Sequence, residues 1–301
     1  MNTSHLNVAL IQSNSLPSAS ENLDYIAEQI ERAANDKARL IVLQELHNSP
    51  YFCIEENPAH FDLAETIPGP STDFLSKLAA RHSVVIVCSL FEKRAAGVYH
   101  NTAVVLDSDG SIAGKYRKMH IPDDPGFYEK YYFTPGDLGF KPIQTRVGKL
   151  GVLVCWDQWF PEAARLMALA GAELLVYPTA IGWDPADSET EQQRQLDAWI
   201  TIQRSHAIAN NLPVVACNRT GVESHPQLQT RFWGNSFICG QQGEIMARAD
   251  SDKNTIVSAS IDMNNTEKVR RIWPYFRDRR IDAYCDLDHR LIDEQDSSGF
   301  N

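Results

Sequence analysis

VGKLGVLVCWDQWFPE, residues 147–162, joins a short apolar run to a pattern typical of a helix. Residues 150–154 have the length and β-branched content of a buried strand, and residues 161–170 have helical spacing with a proline in the first turn. Cys155 therefore lies at a predicted strand-to-helix elbow. Backbone N–H groups at a helix start lower a thiol pKa and can hold an oxyanion. Cys155 is thus a candidate nucleophile, against the alternative of a buried structural cysteine.

Apolar runs alternate with helical patterns along the rest of the chain. The predicted strands are residues 6–12, 39–45, 83–91, 101–107, 111–118, 172–178, 212–218 and 256–261, with a hairpin over 233–248. The predicted helices are residues 20–34, with Ser20 as the candidate N-cap, 70–82 and 192–210. Residues 119–140 have no clean period and predict an ordered, functional loop. We expect an α/β fold in which two similar halves, each a sheet covered by helices on one side, pack face to face.

Length and charge limit the classes of partner. The 301 residues are interpreted as a single domain, and a formal charge of −11 disfavours nucleic acid and anionic membranes but favours a small cation. No segment resembles a signal peptide or approaches the ~18 apolar residues of a membrane span, so a cytoplasmic location is expected. The six cysteines are scattered singly and are predicted to be reduced. The charged and aromatic tail from about residue 267 could cap the domain or reach a partner subunit.

Two further residues lie at the ends of predicted strands and have the functional groups that a thiol nucleophile requires. Glu45 ends a strand in LQEL, and Lys118 ends a strand in KYRKMHIP. A carboxylate can take the thiol proton and return it to a leaving amine. An ammonium, together with the N–H of Trp156, can stabilise the oxyanion of an attacked carbonyl. Each residue alone has an ordinary alternative, a surface carboxylate for Glu45 and a solvated lysine for Lys118, but the three together match a nucleophile, a base and an oxyanion donor.

The order and contexts of Glu45, Lys118 and Cys155 resemble the nitrilase, or carbon-nitrogen hydrolase, superfamily, from Leu6 to about Tyr284. A second glutamate of that superfamily precedes an aromatic-Pro-Gly segment, and Glu129 in YEKYYFTPGD matches it. The resemblance implies a four-layer αββα sandwich that forms homodimers or higher homo-oligomers and uses no cofactor and no metal. It also implies that Glu129 orients Lys118 and the substrate nitrogen.

Substrate preference must come from the loops around these residues. Relatives that act on carbamoyl amino acids bind the carboxylate with cations, and D-carbamoylases place an arginine pair soon after the nucleophile, where this chain has Gln158 and Trp159. The loop after residues 174–178 instead contains Asp184, Asp187 and Glu189, which suits a substrate ammonium. Asp184 is the expected contact, and Trp156 and Tyr128 complete the candidate substrate-binding residues.

The segments HIPDDPGFYEKYYFTPGD, YPTAIGW and FRDRR resemble the N-carbamoylputrescine amidase branch of the superfamily, which serves polyamine biosynthesis. The resemblance implies hydrolysis of a cationic carbamoyl amine. Three competing interpretations remain: the acidic loop is a solvated surface run, the chain is an omega-amidase or β-ureidopropionase with Arg231 or Arg277 binding a substrate carboxylate, or it is a catalytically silent scaffold.

Overall fold

The computed structural model describes residues 4–184, 186–224 and 229–292. The helices in these ranges are α1 (Ala19–Asn35), α2 (Pro70–His82), α3 (Glu129–Tyr132), α4 (Pro161–Leu169), α5 (Glu189–Asn210) and α6 (Asn265–Ile272). The strands are β1 (His5–Gln12), β2 (Leu40–Leu43), β3 (Val85–Ala95), β4 (Val98–Leu106), β5 (Ile112–Arg117), β6 (Ile143–Thr145), β7 (Gly148–Val152), β8 (Leu174–Thr179), β9 (Gly182–Trp183), β10 (Val214–Asn218), β11 (Thr220–Ser224), β12 (Gln229–Trp233), β13 (Phe237–Cys239), β14 (Ile245–Arg248) and β15 (Thr255–Asp262).

Two six-stranded mixed sheets have the same plan. The first has the order β15-β1-β2-β3-β4-β5, and the second has the order β14-β13-β10-β8-β7-β6. In each sheet three central strands are parallel, β1, β2 and β3 in the first and β7, β8 and β10 in the second, and the flanking strands are antiparallel. This arrangement confirms the prediction of two similar halves.

The alternation of side chains along each strand explains the layers. In β1, Val8 and Leu10 pack in the main core with residues of the second sheet, whereas Ala9 and Ile11 pack with α1 and α2. Helices α4 and α5 cover the second sheet, where Met167 of α4 lies against Gly151 of β7. The result is the expected four-layer sandwich of helices, sheet, sheet and helices.

Four chain segments leave parallel strands at the same edge of the sandwich. Glu45 follows β2, Cys155 follows β7, residue 180 follows β8 and Arg219 follows β10. Because parallel strands present their carboxyl ends together, this edge gathers polar side chains into one place. No helix in the described part of the chain is long and apolar enough to cross a membrane.

The structure departs from the sequence-based expectations at short or loop-like elements. Helix α1 is capped by Ser18 and not Ser20, because the Ser18 side chain accepts the Glu21 N–H while Glu21 accepts the Ser18 N–H in a capping box. A third sheet of β11, β12 and β9 was not predicted, and Trp233 ends β12 instead of opening the hairpin that β13 and β14 form. Helix α3 lies inside the predicted loop and α6 inside the tail. Residues 293–301 of that tail lie outside the described residues.

Candidate active site

Cys155 occupies a strained turn at the end of the second sheet. Strand β7 ends at Val152, and Cys155 opens a single 3₁₀ turn over Cys155–Trp159 that precedes α4, so the predicted elbow contains an extra turn. The Cys155 φ angle is +44°, which is uncommon for a residue other than glycine. Such a backbone persists where the surrounding structure enforces it, and here it directs the thiol toward the strand ends of both sheets.

Asp157 connects this turn to the strand that precedes Lys118. Its Oδ2 accepts hydrogen bonds from the Val154 N–H at 2.9 Å and from the Tyr116 hydroxyl at 2.9 Å. Its Oδ1 accepts the His120 N–H at 3.0 Å. Asp157 is fully buried, and its position two residues after the nucleophile was the only signal in the sequence. It holds the nucleophile and the oxyanion donor in one frame.

Glu45 is buried, and its two carboxylate oxygens differ in their hydrogen bonding. Its N–H donates to the Thr179 carbonyl at 3.3 Å, and its Oε1 accepts from Lys118 Nζ at 2.8 Å and from Asn101 Nδ2 at 2.7 Å. Its Oε2 is buried without a hydrogen-bond partner among the described side chains and backbone groups. One oxygen is therefore fixed by donors, and the other is available to receive a proton.

Lys118 bridges two glutamates. Its side chain is fully buried, and Nζ donates to Glu45 Oε1 at 2.8 Å and to Glu129 Oε2 at 2.6 Å. Burial alone would lower the pKa of this ammonium, but the charges of Glu129 and Glu45 outweigh burial and raise the pKa well above its usual value. Lys118 is therefore a permanent positive charge.

Glu129 begins α3 and is held from a second side by Tyr51, whose hydroxyl donates to Glu129 Oε1 at 2.8 Å. Burial raises the pKa of Glu129 to about 7, against the opposing attraction of Lys118. The resemblance placed Glu129 beside Lys118, and the structure places it there. Tyr51 and Asn101 were missed, because neither belongs to a recognisable motif.

The thiol differs from the expectation for a helix start. Burial raises the pKa of Cys155 well above its usual value, the charge of Glu45 raises it further, and the charge of Lys118 lowers it only in part. The predicted lowering by backbone N–H groups is therefore outweighed, because the thiolate would be desolvated beside two carboxylates. As a nucleophile, Cys155 would therefore require a base.

A cavity of about 410 Å³ opens in front of Cys155. Its lining includes Glu129, Trp156 and Asp184, so the structure brings these three predicted residues together with the nucleophile. The apolar wall consists of aromatic and aliphatic side chains, Phe127, Trp159, Ile181 and Trp233 among them. An apolar pocket with a few convergent polar groups is typical of a small-molecule site.

The cavity is acidic. Asp124 and Asp187 line it with Asp184, and its described lining contains no lysine, arginine or histidine. Asp184 Oδ1 accepts the Ala186 N–H at 2.8 Å, and Asp187 Oδ2 accepts from Gln195 Nε2 at 2.9 Å. Asp124 was not singled out from the sequence; burial raises its pKa, and its Oδ1 is buried without a hydrogen-bond partner in the described part of the chain.

Three other residues singled out from the sequence lie elsewhere: the predicted Tyr128 and Glu189, and Gln158, which stands where D-carbamoylases have an arginine. Tyr128 is not part of the described cavity lining; its N–H donates to the Cys53 carbonyl at 2.8 Å, and its neighbour Phe127 reaches the cavity. Glu189 begins α5 outside that lining. Gln158 is fully buried and accepts from Trp199 Nε1 at 2.7 Å, so it supports the turn from behind. The described residues contain no group of three or more His, Cys, Asp or Glu side chains arranged to hold a metal ion.

Comparisons with known proteins identify a family and several relatives. The family described as carbon-nitrogen hydrolase matches residues 7–271. The chain is 41% identical to a citrullinase of Francisella tularensis subsp. tularensis over 94% of this chain and 98% of that protein. It is 45% identical to an N-carbamoylputrescine amidase of Solanum lycopersicum over 86% of this chain and 87% of that protein. The crystal structure of a carbon-nitrogen hydrolase from Helicobacter pylori G27 is 55% identical, with a TM-score of 0.93 over 96% of this chain and 100% of that chain.

Proposed function

The chain belongs to the carbon-nitrogen hydrolase family, and we propose that it hydrolyses N-carbamoylputrescine to putrescine, carbon dioxide and ammonia. Hydrolysis of a C–N bond follows from the family and from its amidase relatives. The choice of substrate is the proposal, and the observation that carries it is the charge of the cavity. A neutral ureido group and a distal ammonium match a site with Cys155 at one end and aspartates at its walls.

Citrulline is the second candidate, because the citrullinase relative is almost as similar as the amidases. Citrulline has the same ureido group and an ammonium, but it adds a carboxylate. One observation favours it: Trp159 and Trp233 line the cavity, and their buried indole N–H groups have no hydrogen-bond partner among the described residues, so a carboxylate would gain a donor if either ring turned toward it. Three aspartates and no cation in the described lining disfavour it, because an unpaired carboxylate beside like charges is costly.

Substrates with an anionic distal end match the acidic cavity poorly. Omega-amidase and β-ureidopropionase act on such substrates and require a cation at that end. Arg231 stacks on the Trp183 ring at 5.6 Å and Arg277 pairs with Asp278 at 2.7 Å, and neither belongs to the described cavity lining. A silent scaffold would not need a buried Glu45–Lys118–Glu129 array in front of a thiol.

Acylation begins at Cys155, which lines the cavity, and uses the buried Glu45 and Lys118. The Cys155 sulfur attacks the ureido carbonyl carbon while Glu45 Oε2 takes the thiol proton. Negative charge develops on the carbonyl oxygen, where the Lys118 ammonium and the Trp156 N–H stabilise it. The tetrahedral intermediate collapses by breaking the bond to the chain nitrogen, and Glu45 returns its proton to the departing amine. A carbamoyl thioester remains on Cys155.

Hydrolysis of the thioester repeats these roles. Glu45 takes a proton from a water molecule, which attacks the thioester carbonyl, and then returns the proton to the Cys155 sulfur. Carbamic acid leaves and breaks down to carbon dioxide and ammonia. Glu129 stays paired with Lys118 and faces the cavity, where it can accept a hydrogen bond from the ureido NH₂ group.

A substrate panel tests the proposal. Purified protein is assayed for ammonia release with N-carbamoylputrescine, citrulline, N-carbamoyl-β-alanine, a short ω-amide and a nitrile, each at several concentrations. We expect the highest kcat/KM with N-carbamoylputrescine and a clearly lower value with citrulline. A preference for any carboxylate-bearing compound would contradict the polyamine assignment, and activity with none of them would favour a catalytically silent scaffold.

Asp184→Asn should weaken selection for the distal ammonium. Two charges in a partly dry pocket attract by a few kcal/mol, so we expect the transition state of N-carbamoylputrescine to lose about 2 to 4 kcal/mol of stabilisation. The kcat/KM for this substrate should therefore fall roughly 30- to 1000-fold. N-butylurea lacks the ammonium and is the matched control substrate, and its kcat/KM should change little. Equal losses with both substrates would mean that Asp184 only shapes its loop, and Asp124→Asn, which changes another aspartate of the cavity, would then be measured with the same pair.

Quaternary structure and location complete the proposal. We propose a homodimer or higher homo-oligomer with the tail from about residue 267 at the subunit interface. In support, large apolar side chains of this segment are exposed: Ile272, Trp273, Ile281, Leu287, Leu291 and Ile292. All six cysteines are free, and five of them are buried. Free thiols are typical of proteins in reducing compartments, which supports a cytoplasmic location.

A further inference from the structure

Among the described residues, Arg219 is the largest charged side chain that the fold buries completely. It follows β10, and its guanidinium lies behind Glu45 and outside the described cavity lining. Nη2 donates to the carbonyl oxygens of Glu45 at 3.0 Å and Leu46 at 2.9 Å, and Nη1 donates to the Ser49 carbonyl at 3.1 Å. One planar fork therefore holds three carbonyls of the segment that carries the catalytic base.

That segment needs external support. Leu46, directly after the base, has a φ angle of +49°, which is unfavourable for a branched side chain. Its N–H is bound to Ser89 Oγ at 3.3 Å, and the Glu45 N–H is bound to the Thr179 carbonyl at 3.3 Å. Arg219 donates to the carbonyl oxygens of the same two residues. The backbone of Glu45 is thus fixed from both directions while only its carboxylate faces the reaction.

Glu223 balances the charge of Arg219 and extends the connection to the second glutamate. Its Oε1 accepts from Arg219 Nη1 at 2.6 Å, and its Oε2 accepts the Tyr51 N–H at 2.5 Å. The Tyr51 hydroxyl donates to Glu129 at 2.8 Å. Phe232 covers the guanidinium, whose Cζ lies 5.4 Å from the ring centroid. Arg219 and Glu223 therefore reach Glu45 through its backbone and Glu129 through Tyr51.

We propose that Arg219, paired with Glu223, is a positioning residue that sets the distance between Glu45 and Glu129 on either side of Lys118. A purely structural role explains less. Buried ion pairs contribute little net stability, and an apolar residue of similar volume often serves a core as well or better. The donors of Arg219 converge on the base segment, and catalytic geometry is sensitive to displacements of about 1 Å.

Arg219→Lys and Arg219→Met test the proposal on whichever substrate the wild type hydrolyses fastest, so the result does not depend on the substrate assignment. It rests only on the C–N hydrolase activity. Because a misplacement of about 1 Å can cost ~10²-fold, we expect kcat to fall ~10²-fold in Arg219→Met, with KM changed less than about threefold. Lysine keeps the charge but cannot span the three carbonyls, so Arg219→Lys should recover only part of the lost kcat.

Leu78→Ala, in the α2 layer remote from the site, is the matched control for lost stability. It should lower the melting temperature without changing kcat per folded molecule. If Arg219→Met keeps wild-type kcat at a lowered melting temperature, or if only KM changes, the positioning role is wrong. Should Arg219→Met fail to fold, Arg219→Lys and Glu223→Gln decide in its place: wild-type kcat in both would overturn the proposal, and a fall in kcat at constant KM would support it.

Discussion

Cys155→Ala is expected to fold like the wild type and to lose turnover by a factor on the order of 10⁴ or more, because the described cavity lining offers covalent catalysis no other thiol, hydroxyl or amine nucleophile. The side chain is nearly fully buried, but it is small, so its truncation to alanine removes only the sulfur atom. Alanine removes the sulfur and leaves the Glu45–Lys118–Glu129 array in place. The melting temperature should therefore change little while kcat collapses.

The measurement combines steady-state ammonia release with intact-protein mass spectrometry. Wild-type protein quenched during turnover should carry one carbamoyl group on Cys155, and Cys155→Ala should carry none. Cys285→Ala, which changes the one exposed cysteine, and Cys217→Ala, which changes a cysteine buried between the sheets, are the matched controls and should retain kcat. If Cys155→Ala turned over at the wild-type rate, or if Cys217→Ala lost activity with its fold intact, this mechanism would be ruled out.

The sequence was informative wherever local pattern and tertiary role coincide. Residues 70–82 were predicted as a helix and form α2, and residues 174–178 lie in a fully buried strand, because uninterrupted apolar or helical periodicity reflects burial directly. The order of Glu45, Lys118 and Cys155 along the chain was equally informative. Each follows a strand, and the sheet topology places the three strand ends at the same edge of the sandwich.

Other features depend on contacts that no local pattern contains. Strand β9 has two residues and forms only against β12, which lies much later in the chain, so it has no periodicity to detect. Arg219 precedes a threonine in an ordinary polar segment, and its role exists only because β2 and β10 bring it behind Glu45. The thiol pKa of Cys155 was misjudged for the same reason. Burial and the neighbouring carboxylate act through space and outweigh the local backbone.

The residues that the sequence did not reveal are those that support the reacting groups. Sequence motifs predict the groups that react, whereas the structure shows the groups that hold them: Asp157 for the Cys155 turn, Asn101 and Arg219 for Glu45, and Tyr51 for Glu129. Each support arrives from a different element, so the reacting groups are fixed relative to one another through the sheets. Catalysis by preformed hydrogen-bond donors requires such rigidity.

Lys118→Ala is expected to lower kcat by ~10²-fold or more with a smaller change in KM, because its ammonium acts mainly on the oxyanion that develops after substrate has bound. The substitution also leaves Glu45 and Glu129 buried without their shared cation. Removing one partner of a buried pair typically costs ~3 to 5 kcal/mol of folding free energy, so stability must be measured beside activity. Lys118→Arg is the control that keeps the charge but alters its geometry.

The pH dependence of stability separates the two effects of Lys118→Ala. Burial already raises the pKa of Glu129 to about 7, and Lys118 is the neighbour that lowers it most, so without the ammonium this pKa should rise further. A carboxyl whose folded pKa is raised loses folding free energy as the pH climbs from its unfolded pKa to its folded pKa. In the wild type this loss is complete near pH 7, whereas in the variant it should continue above pH 7. The difference in melting temperature between the two proteins should therefore widen from about pH 6 to about pH 8.

At about pH 6 the variant should be folded well enough for its kcat to report chemistry alone. A fall of ~10²-fold or more in kcat per folded molecule at both about pH 6 and about pH 8 assigns Lys118 to the oxyanion, since the usual cost of losing such a donor is of this size and a base protonated at the lower pH would recover at the higher one. If kcat were unchanged and only KM rose, Lys118 would bind the ground-state carbonyl instead. If the difference in melting temperature narrowed at higher pH, the inferred charge balance between Lys118 and the two glutamates would be wrong, because an ammonium that lowers the Glu129 pKa cannot have that effect.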